Sequence, residues 1–183
     1  MMMFITPFWC CTLPDRKRCT LCREPRTYGF QPCRGGVDED DDEAVTWFRK
    51  AVGQGSARAS FLLGECYEFG YGVEKDINEA VRLYAIAHKG GYSSGTCSLG
   101  LCYELGRGVE EDKETAAELY RIAAEKGNAR AMCNLGFFYS QGIALERDDA
   151  QAAQWFTKSA QLGYSRAQFL LRSEGHRHRR HRG

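Results

Sequence analysis

Residues 63–91 read LGECYEFGYGVEKDINEAVRLYAIAHKGG, residues 99–127 read LGLCYELGRGVEEDKETAAELYRIAAEKG, and residues 135–163 read LGFFYSQGIALERDDAQAAQWFTKSAQLG. Laid over one another without a gap, they share a frame that advances by 36 residues. Leu-Gly stands at 63/64, 99/100 and 135/136, Tyr at 67, 103 and 139, and Gly at 70, 106 and 142. Asp stands at 76, 112 and 148, Ala at 80, 116 and 152, an aromatic at 48, 84, 120 and 156, and Gly at 55, 91, 127 and 163. Independent ladders in one register mark a repeat architecture, in which each unit is a supersecondary element that stacks on its neighbours.

Within a unit, Ala59, Leu62, Leu63, Cys66 and Tyr67, and then Ala80, Leu83, Tyr84 and Ala87, recur at helical spacing. The spacing predicts two short helices per repeat and an all-α chain. Between them lie Gly70-Tyr71-Gly72-Val73 and Gly106-Arg107-Gly108-Val109, where glycine allows the positive φ of a tight reversal. Asp76 with Glu79, and Asp148 with Gln151, have capping-box spacing and predict the start of the second helix. Gly91, Gly127 and Gly163 follow its last periodic position, as a left-handed C′ residue does. So short a helix pair cannot bury its apolar face alone, and its Leu, Tyr and Phe side chains are each worth about 1.5–3 kcal/mol when fully buried against a neighbour. Gly64, Gly100 and Gly136, opposite Ala80, Ala116 and Ala152, are expected to let the two helices of a pair approach closely.

The run Ala131-Met132-Cys133-Asn134-Leu135-Gly136 through Tyr139, the turn Gly106-Arg107-Gly108-Val109 with Asp112, and the closure Ala116, Leu119, Tyr120, Ala123, Ala124 and Gly127 resemble the Sel-one-like repeat, a longer-looped relative of the tetratricopeptide repeat. The resemblance covers about residues 36–171. It implies an α/α solenoid, a right-handed superhelix of antiparallel helix pairs, and a role as scaffold or adaptor in protein complexes.

The register divides the chain into a Cys-rich leader (1–35), a half repeat holding only a second helix (36–55), repeats at 56–91, 92–127 and 128–163, a closing helix (164–174) and a basic, disordered tail (175–183). Pro25 and Pro32 occupy the place of the first repeat's opening helix, and at the far end Arg172 replaces the expected Gly.

In such solenoids the first helices line the concave face. Register then places Arg58, Phe61, Glu65 and Glu68, Ser94, Cys97, Leu101 and Glu104, and Arg130, Cys133, Phe137 and Ser140 in the groove. These rows vary between copies whereas the packing ladders do not. Phe61, Cys97, Cys133 and Phe169 read equally well as a further core ladder; Leu101 and Phe137 are the stronger groove positions. Aromatic, aliphatic and acidic groups together suit a protein or peptide partner with apolar anchors and some basic character.

Charge narrows the function classes. Residues 1–35 carry six Lys/Arg against two acids, residues 36–171 fourteen against twenty-one, and residues 172–183 five against one. The repeat region is therefore acidic, which argues against nucleic-acid binding by the fold. The basic tail, with His176, His178 and His181, either contacts nucleic acid or other acidic surfaces, as in a nucleic-acid accessory protein, or is a solubilising end. No run of apolar residues reaches bilayer length, so no membrane partner is expected.

Cys19-Thr-Leu-Cys22, with Cys10, Cys11 and Cys33 nearby, has thiolate spacing for zinc but lacks a second spaced pair, so no metal and no cofactor is expected. The acids Asp38–Glu43 read as solvated charges at a helix start. His88 is the one histidine of the repeat region, no nucleophile with a base can be assembled, and an enzyme is not expected. Secreted, cysteine-rich members of the resembled family have been linked to penicillin binding or hydrolysis. They pair cysteines within each repeat, whereas Cys66, Cys97, Cys102 and Cys133 lack regular second partners. An odd total of nine cysteines and a poor leader point to a reducing, cytoplasmic setting.

Overall fold

The computed structural model describes residues 38–180, with the side chains of residues 41–172. Among them run eight helices and no strand: α1 (Asp38–Gly53), α2 (Ala57–Phe69), α3 (Ile77–Lys89), α4 (Ser93–Leu105), α5 (Lys113–Glu125), α6 (Ala129–Gln141), α7 (Asp149–Gln161) and α8 (Ser165–Arg180). Pairs form between α2 and α3, α4 and α5, and α6 and α7, and each pair stacks on the next through α3 on α4 and α5 on α6. The chain is the expected all-α solenoid. Helices α2 to α7 all have 13 residues, so equivalent side chains stay in step from one unit to the next.

The aromatic ladder fills the core: Tyr84 and Tyr120 are fully buried and Phe156 nearly so. Each ring lies on the glycine of its partner helix. A Cβ added at Gly64 would come within 2.6 Å of the Tyr84 ring, one at Gly100 within 3.0 Å of Tyr120, and one at Gly136 within 3.0 Å of Phe156. Ala80 and Ala152 contribute backbone carbonyls to the same contacts at Gly64 and Gly136. The glycines are therefore sockets for an aromatic ring, a more specific role than clearance for alanine.

The loops repeat as faithfully. The amides of Asp76, Asp112 and Asp148 donate to the carbonyls of Tyr67, Tyr103 and Tyr139, each at 3.0 Å, so the three tyrosines hold equivalent places. Asp76 accepts from the amides of Asn78 and Glu79, Asp112 from that of Thr115, and Asp148 from those of Ala150 and Gln151. The reciprocal half of the capping box does not form at Asp76, because the Glu79 carboxylate turns outward to pair with Arg82 at 2.9 Å. Gly91, Gly127 and Gly163 take the left-handed conformation expected of them.

Helix α1 opens at the acidic run expected to start it, and α8 exceeds the length its sequence suggested. Where α3, α5 and α7 each begin one residue after their capping Asp, α1 starts at Asp38, ahead of the equivalent Asp40. Clustered carboxylates at the positive end of a helix favour that extra turn. Helix α8 runs on to Arg180 instead of ending at Glu174; arginine is a strong helix former, and Gly175 alone opposes it at about 1 kcal/mol.

Three substitutions test this geometry. Gly64→Ala pushes a methyl into the Tyr84 ring and should destabilise by about 1–3 kcal/mol, seen as a lower urea midpoint. In the turns, Gly72 and Gly108 have φ of 63° and 67°, but the third copy places Ala144 there at φ 54°. A left-handed alanine costs about 1–2 kcal/mol, part of which glycine would return through its freer unfolded chain. Ala144→Gly should therefore raise stability by roughly 1 kcal/mol in the same unfolding assay, whereas Gly108→Ala should lower it.

Candidate functional site

Helix α2 packs directly on α4 as well as on α3, and no comparable approach joins α3 to α5 among the described residues. The first helices of the first two pairs thus approach each other on one side of the stack, the side that the repeat resemblance makes the inner face. Arg130, from α6, is within electrostatic reach of Glu65 and Glu68 on α2, which places its side chain over the middle of this face. The repeat register predicts the rows that cross it, and the structure assigns those rows different fates.

The acidic row is largely committed to the fold. The Tyr84 hydroxyl donates to Glu68 Oε2 at 2.6 Å, and Arg107 from the next repeat pairs with Glu68 Oε1 at 2.8 Å. The Tyr120 hydroxyl donates to Glu104 Oε2 at 2.5 Å. In the third unit the ring is Phe156 and has no hydroxyl, and the equivalent of the carboxylate is Ser140, which is buried and donates to the Phe137 carbonyl at 2.9 Å. Glu68 and Glu104 thus act first as partners of the core tyrosines, and Ser140 bonds within its own helix. The pairing was legible in the ladders, since Tyr goes with Glu twice and Phe goes with Ser once.

Phe61, Cys97 and Cys133 belong to packing. Phe61 stacks between Tyr84 and Tyr92, with ring centroids 5.9 and 5.4 Å away, and both cysteines are buried. Phe169, the last of that row, is 70% exposed. Ser94 receives a hydrogen bond from Asn128 at 3.4 Å and helps join two repeats.

What remains open on the inner face is Arg58, Glu65, Leu101, Arg130 and Phe137, together with Arg166, which the sequence reading did not single out. Arg58 is exposed, and Glu65, Leu101, Arg130 and Phe137 are half-buried. The Arg166 guanidinium lies 6.0 Å from the centre of the Phe137 ring. Its signal was available, because 58, 94, 130 and 166 form one ladder at the second residue of α2, α4, α6 and α8.

Groups suited to chemistry are tied up elsewhere. His88 Nδ1 lies 3.1 Å from Thr96 Oγ1, linking α3 to α4, and burial lowers its pKa with help from Lys126 and Lys89. Cys66, Cys97, Cys102 and Cys133 are free and buried, and burial pushes each thiol up to about 11. Such thiols are protonated and unreactive. The Cys19–Cys22 pair lies outside the described residues, and no described helix is long and apolar enough to cross a membrane.

This frame matches known proteins. The model of the Sel1 repeat matches residues 28–56, 57–92, 93–128 and 129–164, and the chain belongs to that family. Its fold is similar to that of a Sel1 repeat protein from Oxalobacter formigenes, with a TM-score of 0.67 and 35% identity over 71% of this chain and 52% of that one. It is similar also to a protective antigen of uropathogenic Escherichia coli displaying an SLR fold, with a TM-score of 0.67 and 41% identity over 71% of this chain and 28% of that one. The chain thus spans about half the length of the first and less of the second. Helicobacter pylori cysteine rich protein B shares the fold, with a TM-score of 0.58 and 23% identity over 75% of this chain and 98% of that one. No curated protein matches the chain significantly.

Burial, then Glu68, raises the Glu65 carboxyl to about 7, against the opposing pull of Arg130. A carboxyl whose folded pKa is raised binds its proton more tightly in the native state, so stability is lost as pH climbs from about 4.5 through 7. Glu65→Gln removes that loss. The variant should gain about 1 kcal/mol over wild type at pH 8, after allowance for solvent screening of a partly exposed group, and nothing at pH 4, as read from urea midpoints at the two pH values.

Proposed function

We propose that this chain is a non-catalytic scaffold that holds a segment of a partner protein on its concave face. Sel1 repeats in general mediate protein interactions. The observation that carries the reading is the half-buried apolar pair Leu101 and Phe137, which stay partly accessible where Cys97 and Cys133, one turn earlier on the same helices, sink into the core. Apolar side chains held at a fixed spacing on rigid helices suit the anchors of an extended or helical peptide. On this reading Arg58, Glu65 and Arg130 share the wall with Leu101 and Phe137, and Glu68, Glu104 and Ser140 stand in the neighbouring row.

A cysteine-rich, penicillin-binding role draws no support, because the four described cysteines are free. Four cysteines buried singly in the core suit a reducing compartment such as the cytoplasm, and the acidic repeat region favours protein over nucleic acid.

The test is affinity capture from native cells with wild type and with Leu101→Arg plus Phe137→Arg, each checked for native helicity by circular dichroism. The folded double variant should lose the partners that wild type retains. A folded double variant that keeps all of them contradicts the groove assignment.

A further inference from the structure

We infer that the concave face recognises an acidic segment of its partner, seating a carboxylate against Arg130 and an apolar side chain beside Leu101 and Phe137. This rests on the concave face being the binding surface. It also reverses the sequence-based expectation of a basic partner, because the structure redistributes the charges on that face.

Two of the three carboxylates that made the groove look acidic are engaged, and the third, Glu65, is half-buried with its carboxyl raised to about 7. Glu68 accepts from Tyr84 and Arg107, its side chain only 12% accessible, and Glu104 accepts from Tyr120. The cations are not engaged in the same way. Among the described residues no ion pair holds Arg58, Arg130 or Arg166, and Arg166 rests only against the Phe137 ring. Burial opposes the charge of Arg130, but Cys97, Tyr164, Tyr120 and Glu68 outweigh it and its pKa is raised. Glu65 and Glu68 act on Arg130 only through space, and a half-buried guanidinium with no hydrogen-bonded carboxylate gains more from an incoming one than a solvated guanidinium does, since two parallel N–H donors meet both oxygens in a poorly screened site.

Position adds to this. All three arginines sit at the second residue of a first helix, so the positive ends of α2, α6 and α8 lie along the same edge and favour an anion there. Leu101 and Phe137 follow about two turns further along α4 and α6. The face thus offers cations along one edge and apolar contact beside them, which fits a peptide carrying acids next to a bulky apolar residue. A nucleic acid would leave the apolar positions unused.

The experiment is fluorescence anisotropy on the full chain with short labelled peptides in which acids flank a phenylalanine, the same peptides with lysine for each acid, and an oligothymidine of similar length. The acidic peptide should bind about tenfold or more tightly than the lysine peptide. Arg130→Glu should abolish that preference, Arg130→Lys should keep part of it, and the exposed Arg166→Glu, which leaves the core untouched, should weaken it even if Arg130→Glu does not fold. Equal or tighter binding of the lysine peptide or the oligonucleotide overturns the proposal, as does an acidic peptide indifferent to both arginine reversals or a failure of every peptide to bind. If the lysine peptide wins but still loses affinity in the Leu101→Arg plus Phe137→Arg variant, the acidic preference is wrong and the groove stands. Peptide binding unaffected by that double variant removes the groove as well.

Discussion

An aromatic ring on a glycine sets the spacing of every helix pair. Tyr84, Tyr120 and Phe156 each bring ring atoms Cδ1 and Cε1 against the partner helix at Gly64, Gly100 and Gly136, and no side chain on that side can be tolerated without moving the ring. Close packing makes such contacts intolerant of even one added methyl group. Because the same contact recurs in three consecutive units of equal helix length, the units superimpose in register, and rows of side chains from different repeats converge on one face. A functional surface assembled from α2, α4, α6 and α8 has a fixed geometry only because this contact fixes the pairs beneath it.

The ring also decides which groove residues are free. A buried tyrosine hydroxyl must find an acceptor, and the nearest is the carboxylate sixteen positions earlier, Glu68 for Tyr84 and Glu104 for Tyr120. Core chemistry therefore draws two acids out of the groove, and the unit whose ring is Phe156 has Ser140 at that position. Arg107 then ties Glu68 to the following repeat. Net charge over residues 36–171 is acidic, yet the charges left available on the inner face are largely arginines. Local pairing, rather than the sum over the sequence, sets what the surface presents.

Much of the fold was legible in the sequence because periodicity is a direct image of packing. Leu63, Tyr84, Ala87 and their equivalents recur since each copy meets the same neighbours, and Gly70 and Asp76 recur since each loop closes by the same hydrogen bond. The terminal helices were less legible: α1 and α8 have a neighbouring unit on one side only, so the ladders thin out there and local propensity decides where the helix stops. The candidate site was the hardest to read. Register placed Glu68 and Leu101 in one class, but their roles differ through contacts with Tyr84 and Arg107 that belong to other rows. Phe61 and Phe169 share a ladder and part company for the same reason, one sandwiched by Tyr84 and Tyr92 and the other exposed on α8.

Ring and glycine act as one unit in every pair, and a double-mutant cycle between Gly136→Ala and Phe156→Leu, read by urea unfolding, measures that coupling. If the ring fills the socket, the alanine should cost markedly less once Phe156 is replaced by leucine, giving an interaction energy of about 0.5–3 kcal/mol. Additive costs, with the alanine equally harmful in both backgrounds, would show that the glycine serves some other purpose and would contradict the packing scheme from which the inner face was built.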